Sequence, residues 1–339
     1  MAKHDMSIFI DPRFEAEYSR HPLALVDVGA RGGVKRNWAA AARHLRVLGF
    51  EPDRREYDRL VDASRSARVP GEYFNIALHN QRGSVPLHLA RDRGLSSIFE
   101  PDRTFLDAFP EAGRFDIETV EQVEVDTLDN QLQARQIDDI DFIKADTQGS
   151  ELFVLQGSTR ALTTSAVGVE VEVEFTPIYK EQPTFADVDL FMRGLGYLLF
   201  DLKPCYWKRA AGWKAGGSYG QIVWADALYL KSAPALLQAL PQLPPDSRKS
   251  KILRAISIAL LYGYVDYALE IGAAGGSVFS ADERRLIERR LREGGDDQGP
   301  LPVFPGRRRL ASALRRLWKV CRVPNEGWSV SDAGIGNRD

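Results

Sequence analysis

Leu23-Ala-Leu-Val-Asp27-Val-Gly29-Ala-Arg-Gly32-Gly33 is the stretch that decides the fold. Six residues, apolar except for one acid, run directly into a glycine-rich bend. A nearly continuous apolar run of this length is what a parallel strand buried on both faces requires. The glycines that follow tolerate positive φ and let the backbone approach a ligand closely. The pattern then repeats. Residues 46–50 form a second apolar run that ends at Glu51, and from Asp53 a helix follows in which Tyr57, Leu60 and Val61 recur at helical spacing.

Outward from this unit, the chain alternates short apolar runs with longer amphipathic ones as far as about Leu230, which predicts a wound α/β sheet. Strands are expected at residues 73–78, 85–89, 120–125, 141–144, 167–175, 197–202 and 221–230. Thr127 is placed to cap a helix over 128–134. A further amphipathic helix is expected over 150–162, and Thr184 and Asp187 stand at capping-box spacing ahead of one over 185–195. Residues 91–115, which include GLSSIFEPDRTF, form a polar stretch long enough for a binding loop. Beyond Leu230, SAPALLQALPQLPPDSRKS reads as a proline-rich linker. Helices are expected at 251–271 and 281–292, then a basic amphipathic run at 307–322, and a polar, disordered tail from Pro324.

The 339 residues are 44% hydrophobic and 27% charged, with a formal charge of −2. That is ordinary for a globular protein with a full core, and it lacks the basic excess of a nucleic-acid binder. Cys205 and Cys321 have no metal-ligand spacing and suit a reducing cytoplasm. The N-terminal MAKHDMSIFIDPRF lacks the apolar core of a signal peptide, and no apolar run approaches the ~20 residues of a membrane span. The expectation is a cytoplasmic protein, soluble or peripheral.

The bend after Asp27 does not have G-x-G-x-x-G spacing. An acid two residues before the first glycine suits a ligand with an ammonium and a sulfonium, and Glu51 is placed to accept hydrogen bonds from both hydroxyls of a ribose. These two features alone leave S-adenosylmethionine and NAD both open.

A longer block narrows the choice. Asp141-Phe-Ile-Lys-Ala-Asp146-Thr-Gln-Gly-Ser-Glu151-Leu-Phe-Val-Leu-Gln-Gly157 resembles the D-F-I-K-I-D-x-x-G-x-E-x-x-V-L-x-G block of FkbM-type methyltransferases. Glu172-Val-Glu174-Phe175-Thr-Pro177-Ile-Tyr179-Lys-Glu-Gln182-Pro183 is similar to that family's E-V-x-F-x-P-L-Y-x-x-Q-P segment. The Asp27–Gly33 turn, Glu51-Pro52, Ser96-Ser97 and Val125-Asp126-Thr127-Leu128 fall in the same order. The resemblance covers about residues 23–202 and not the C-terminal third. At Ala145-Asp146-Thr147 the chain departs from the commoner Ile-Asp-Val, which reads as a packing change.

The resemblance implies a class I methyltransferase fold, a Rossmann-like seven-stranded sheet with its last strand antiparallel, over residues 23–231. A segment at 1–22 would precede it, and a helical extension at 232–323 and a tail at 324–339 would follow. It implies S-adenosylmethionine bound over the C-terminal strand ends by Asp27, Gly29 and Glu51, with Ala30, Arg31, Gly32, Gly33, Pro52 and Ala77 beside them. The acceptor would be the hydroxyl of a sugar, glycan or natural product. Competing readings are a methyltransferase of protein or nucleic acid, and a donor-binding scaffold without catalysis.

Because a sulfonium methyl is already activated, the enzyme must orient an oxygen and remove its proton. Asp146 and Glu172, at the expected strand ends, are the leading pair, as base and orienter or as joint ligands of a divalent cation, the metal being the less favoured option. Asp146 as a helix cap is the competing reading. Glu170, Glu172 and Glu174 share one strand face, so at least one should be solvated or salt-bridged, and Lys144 is a candidate partner. His79 is a further candidate base. Tyr179 and Trp207 are candidate acceptor contacts, with packing as the alternative for each. The 307–322 run carries seven cations and no acid, with Leu310, Leu314, Leu317 and Trp318 on one face. It suits an anionic membrane surface, such as the inner face of a membrane, or docking on protein. The oligomeric state is not legible.

Overall fold

Every side chain of β1 (Leu23–Val28) is buried, and alternation divides them between two cores. Leu23 and Leu25 enter one, and Ala24, Val26 and Val28 the other, at the period of two that a strand imposes. A computed structural model describes residues 8, 11–215, 219–295, 304–321 and 327–331. The strands that follow β1 are β2 (Leu45–Phe50), β3 (Gly71–Phe74), β4 (Ala77–Leu78), β5 (Gly83–Ala90), β6 (Ile117–Asp126), β7 (Phe142–Ala145), β8 (Gly168–Glu174), β9 (Tyr197–Trp207), β10 (Gln221–Lys231) and β11 (Ser329–Ser331).

Eight of them form the main sheet in the order β11-β9-β10-β8-β7-β1-β2-β3. β1 pairs in parallel with β2 and β7, β2 with β3, and β7 with β8, while β10 is antiparallel to both β8 and β9. The expected seven strands with the last antiparallel are therefore present. The eighth, β11, corrects the expectation of a wholly disordered tail. Ser329–Ser331 pair with Trp207–Cys205. Trp328 anchors them, with its ring 5.5 Å from that of Trp207 and its carbonyl accepting from the Lys208 N–H at 2.8 Å. Residues 324–326 and 332–339 of that segment lie outside the described residues.

The run expected as one strand over 73–78 is two. β3 pairs with β2, whereas β4 pairs with β6 in a separate sheet of order β4-β6-β5. The break falls at Asn75, whose side-chain amide donates to the carbonyls of Glu51 and Pro52, both at 2.9 Å, and so fixes the chain beside the end of β2. The helix expected over 150–162 is also two, Glu151–Gln156 and Thr159–Thr164. Between them Gly157 passes so close to the chain at His79 that a Cβ would stand 2.0 Å from that carbonyl oxygen. The helix expected over 251–271 divides at Gly263 into Pro245–Leu261 and Val265–Ala274.

The proline-rich stretch is not a linker. Pro234 and Pro245 lie in the first turns of the helices Ala233–Ala239 and Pro245–Leu261, where the missing N–H costs nothing. The helices Pro12–Arg20, Pro245–Leu261, Val265–Ala274 and Ala281–Gly295 supply Phe14, Ile252, Ile256, Ile271 and Leu286 to the core under Leu23, Leu25 and Phe142. Leu128–Ala134, Glu151–Gln156, Thr159–Thr164 and Phe185–Gly194 cover the opposite face. The C-terminal helices thus complete a three-layer sandwich. Among the described residues no helix is long and apolar enough to cross a membrane.

Candidate active site

The bend after β1 is built around one close approach. Gly29 has φ 68°, and a Cβ on it would lie 1.9 Å from the carbonyl oxygen of Asp146. Its N–H donates to Phe50 O at 3.0 Å, and the Asp146 N–H donates to Val28 O at 3.1 Å, so the ends of β1, β2 and β7 are tied together. Over these ends lies an open cleft. Of the residues expected at the site, Gly29, Arg31, Glu51, Pro52, Ala77, His79 and Asp146 line it, together with Ser96, Thr147 and Gln148.

Asp27, Ala30, Gly32 and Gly33 do not line the cleft. Asp27 is buried, and its Oδ1 lies 3.4 Å from Lys144 Nζ with no hydrogen bond among the described residues. Burial raises its pKa and outweighs the attraction of Lys144. Lys144 does not take its expected partner among the β8 glutamates. It donates to Gly29 O at 2.9 Å and lies between Asp27 and Asp146, 3.5 Å from the latter. Burial works against its charge, but Asp146 and Asp27 together raise its pKa, so it stays an ammonium. Ala30 is buried, and the Gly32 N–H donates to Glu56 at 3.2 Å on the outer side of the turn.

Glu51 is buried at the end of β2 and accepts from the Asp53 N–H at 3.0 Å. Burial pushes its pKa up to about 7 against that hydrogen bond. His79 has a buried Nδ1 without a partner among the described residues, and its ring is 4.9 Å from that of Phe153. Burial lowers its pKa, which keeps the imidazole neutral.

The two acids at the ends of β7 and β8 are joined by a residue that sequence reasoning did not single out. The Gln148 side-chain amide donates to Asp146 Oδ1 at 3.2 Å and to Glu172 Oε1 at 2.7 Å. Gln148 sits at φ 58°, and three bonds hold the loop in that conformation. Glu151 accepts from the N–H groups of Thr147 (2.6 Å) and Gly149 (2.9 Å), and the Ser97 hydroxyl donates to Gln148 O at 2.6 Å. Tyr179 is buried, and its hydroxyl is within hydrogen-bond distance of Leu95 O (2.9 Å) and Gln148 Oε1 (3.0 Å), so it reaches the acids through Gln148.

Asp146 does not cap a helix. The next helix starts at Glu151, behind Ser150. Burial alone would raise the Asp146 pKa, but Lys144 and then Lys35 reverse this and hold it below the ordinary carboxylate range. Lys35 also binds Glu170 at 2.5 Å, so Glu170 is the salt-bridged member of the β8 trio. Glu172 has the opposite fate. Burial and the charge of Asp146 drive its pKa well up, in the direction opposite to that of Asp146. Environments that separate two neighbouring carboxyls in this way assign them different roles.

Trp207 takes the packing alternative: it is buried among Phe109 (5.5 Å), Phe105 (6.4 Å), Phe115 (6.4 Å) and Trp328 (5.5 Å) and does not line this cleft. Among the described residues no group of three or more His, Cys, Asp or Glu side chains is placed to hold a metal ion.

The family described as Methyltransferase FkbM domain matches residues 27–199. Solved structures similar to the chain include methyltransferase FkbM from Methylobacillus flagellatus KT, at 16% identity and a TM-score of 0.36, with 62% of this chain and 43% of that one covered. The chain therefore spans less than half the length of that protein. The N-terminal domain of EvdMO1 with SAH bound aligns at 9% identity and a TM-score of 0.30, over 66% of this chain and 80% of that one. A TehB-like SAM-dependent methyltransferase from Corynebacterium glutamicum aligns at 13% and 0.28, over 68% and 99%. No protein of curated function matches.

Proposed function

The chain belongs to the FkbM methyltransferase family, and from that premise we propose that it moves a methyl group from S-adenosylmethionine to a hydroxyl oxygen of a sugar, glycan or natural product. The observation that carries this reading is the Asp146 carboxylate in the cleft wall, 3.5 Å from Lys144 Nζ and bridged by the Gln148 amide to Glu172. A hydroxyl needs a proton acceptor as its oxygen attacks, and Asp146 is ionised at neutral pH and lines the cleft.

The cleft suits the donor's chemistry. Glu51 offers a carboxylate at the end of β2, and Pro52, Ala77 and His79 supply the adjoining wall. When bound, S-adenosylmethionine supplies a methyl carbon activated by its sulfonium. Glu51 would hold the ribose hydroxyls, and Asp146 would take the proton of the acceptor's hydroxyl. Gln148 fixes the Asp146 carboxylate, and Tyr179 fixes Gln148.

Incubation of the purified protein with the donor and candidate glycans or polyketides, followed by mass spectrometry, tests the reading. A gain of one methyl on an acceptor oxygen, with S-adenosylhomocysteine released, supports it. Donor binding without turnover on any acceptor class would leave a scaffold, and methylation of protein or nucleic acid would replace the acceptor.

Glu51 makes donor binding pH-dependent. An ionised carboxylate accepts hydroxyl hydrogen bonds about twice as strongly as a neutral one. Its folded pKa is raised to about 7, so the strong acceptor is scarce below that value and complete above it. Affinity should therefore rise with pH through about 7 and then level off. 5′-Methylthioadenosine is the suitable probe, because it has the ribose hydroxyls and no group that titrates near neutrality. Calorimetry should show roughly tenfold tighter binding at pH 8 than at pH 6, the ratio of ionised fractions for such a pKa. Glu51→Gln should flatten the profile. A flat profile in the unaltered protein would remove Glu51 from the ribose site.

A further inference from the structure

The helix Arg307–Cys321 follows the sandwich and is not covered by it. Within the helix, every described side chain after Arg307 is exposed, including the apolar ones: Leu310 (46%), Leu314 (55%), Leu317 (59%) and Val320 (84%). Leu310, Leu314 and Leu317 fall at i, i+4 and i+7, one above another on a single face. Arg308, Arg315 and Arg316 lie on the opposite face, and no acid occurs between Arg307 and Arg322.

We infer that this helix docks on the surface of an anionic lipid bilayer. An apolar stripe backed by cations, with Leu and Trp on the stripe, matches the interface of an acidic membrane on both counts. At 15 residues it is about 22 Å long, too short to span and long enough to lie in the headgroup plane. The protein's own apolar groove, between Val265–Ala274 and Ala281–Gly295, fits it less well. That groove is lined by Leu269, Phe279 and Ile287, but its rim carries Arg284 and Arg292 as well as Glu270 and Glu288, and so offers no excess of acid to seven cations. A nucleic acid would use the arginines and leave the leucines in water.

The far end of the helix is tethered. Trp328, seven residues after Cys321, packs on Trp207 at the C-terminal end of β9. A docked helix therefore holds the bilayer near the side of the sheet where the strands end and the cleft lies.

The test uses the full chain and sedimentation with vesicles of phosphatidylcholine alone, or with roughly a third phosphatidylglycerol. Binding should be at least about tenfold stronger to the anionic vesicles and should fall in high salt, since each cation near such a surface is worth a factor of about five. Leu314→Glu with Leu317→Glu should abolish binding. Arg315→Ala with Arg316→Ala should weaken it about 25-fold on the same scale. Neither pair should alter 5′-methylthioadenosine binding or the melting temperature, because neither touches the sandwich. Equal binding to both vesicles, binding to neither, or tighter retention by duplex DNA at the same salt would overturn the inference.

Discussion

Asp146→Asn is expected to cut turnover by about 10²–10³-fold, the usual loss when a positioned general base is removed, while donor affinity stays within a few-fold. The substitution keeps the shape and the hydrogen bond from Gln148, and it removes only the charge that Lys144 and Lys35 stabilise. Glu172→Gln is the informative contrast. Burial and the Asp146 charge push the Glu172 pKa up, towards the neutral acid that the amide imitates. That variant should retain turnover within about threefold at pH 7, since Asp146 and not Glu172 is the proton acceptor. Steady-state rates and calorimetric donor affinities on the two proteins check the pair. Equal rates for Asp146→Asn and the unaltered protein would reduce Asp146 to a loop anchor. A large loss in Glu172→Gln alone would move the base to β8.

The charge on Asp146 was not legible from the sequence. The strand Leu23–Val28 and its bend could be read because both depend on local rules: an unbroken apolar run, alternation between two cores, and glycines where φ is positive. Glu51 could be placed because it ends the adjacent strand. Lys144, in contrast, was given the wrong partners. Alternation along β7 says only which face a side chain takes, whereas its partners come from β1, 115 residues away in the case of Gly29. Gln148 could not be singled out, because its value lies in bridging the ends of two strands from a left-handed loop that Glu151 and Ser97 hold. A partial signal existed in Glu151, three residues after Gln148 and five after Asp146, a spacing that lets a buried acid gather the loop's N–H groups. The same limit hid the role of Trp207, since nothing local says that Phe109, Phe115 and Trp328 converge on it.

The C-terminal helices were misjudged for the same reason, and Lys251→Met measures how firmly they belong to the sheet. Lys251, 1% exposed, reaches from the helix Pro245–Leu261 to the N-terminal end of β7. It donates to Asp141 Oδ1 at 2.5 Å, to Ile140 O at 2.9 Å and to Ser165 O at 3.0 Å, and it also pairs with Asp139. Arg254 completes the cluster at 3.3 Å from Asp141 and 2.5 Å from Asp139. Asp141 in turn accepts from the Ala24 N–H at 2.9 Å, so the helix, β7 and β1 meet at one buried set of charges. Removing one member of such a set leaves its partners uncompensated, which costs about 3–5 kcal/mol. At about 2–4 °C per kcal/mol for a domain of this order of size, the melting temperature should fall by roughly 6–20 °C. Adding Asp141→Asn to Lys251→Met should recover part of the loss, because the orphaned carboxylate is then neutral. The cluster sits at the strand ends opposite the cleft, so 5′-methylthioadenosine affinity of the folded fraction should not change. A melting temperature within about 2 °C of the unaltered protein would mean that the cluster hydrates or rearranges at little cost, and that the helices are held on the sheet by the apolar core to which Ile252, Ile256 and Ile271 belong.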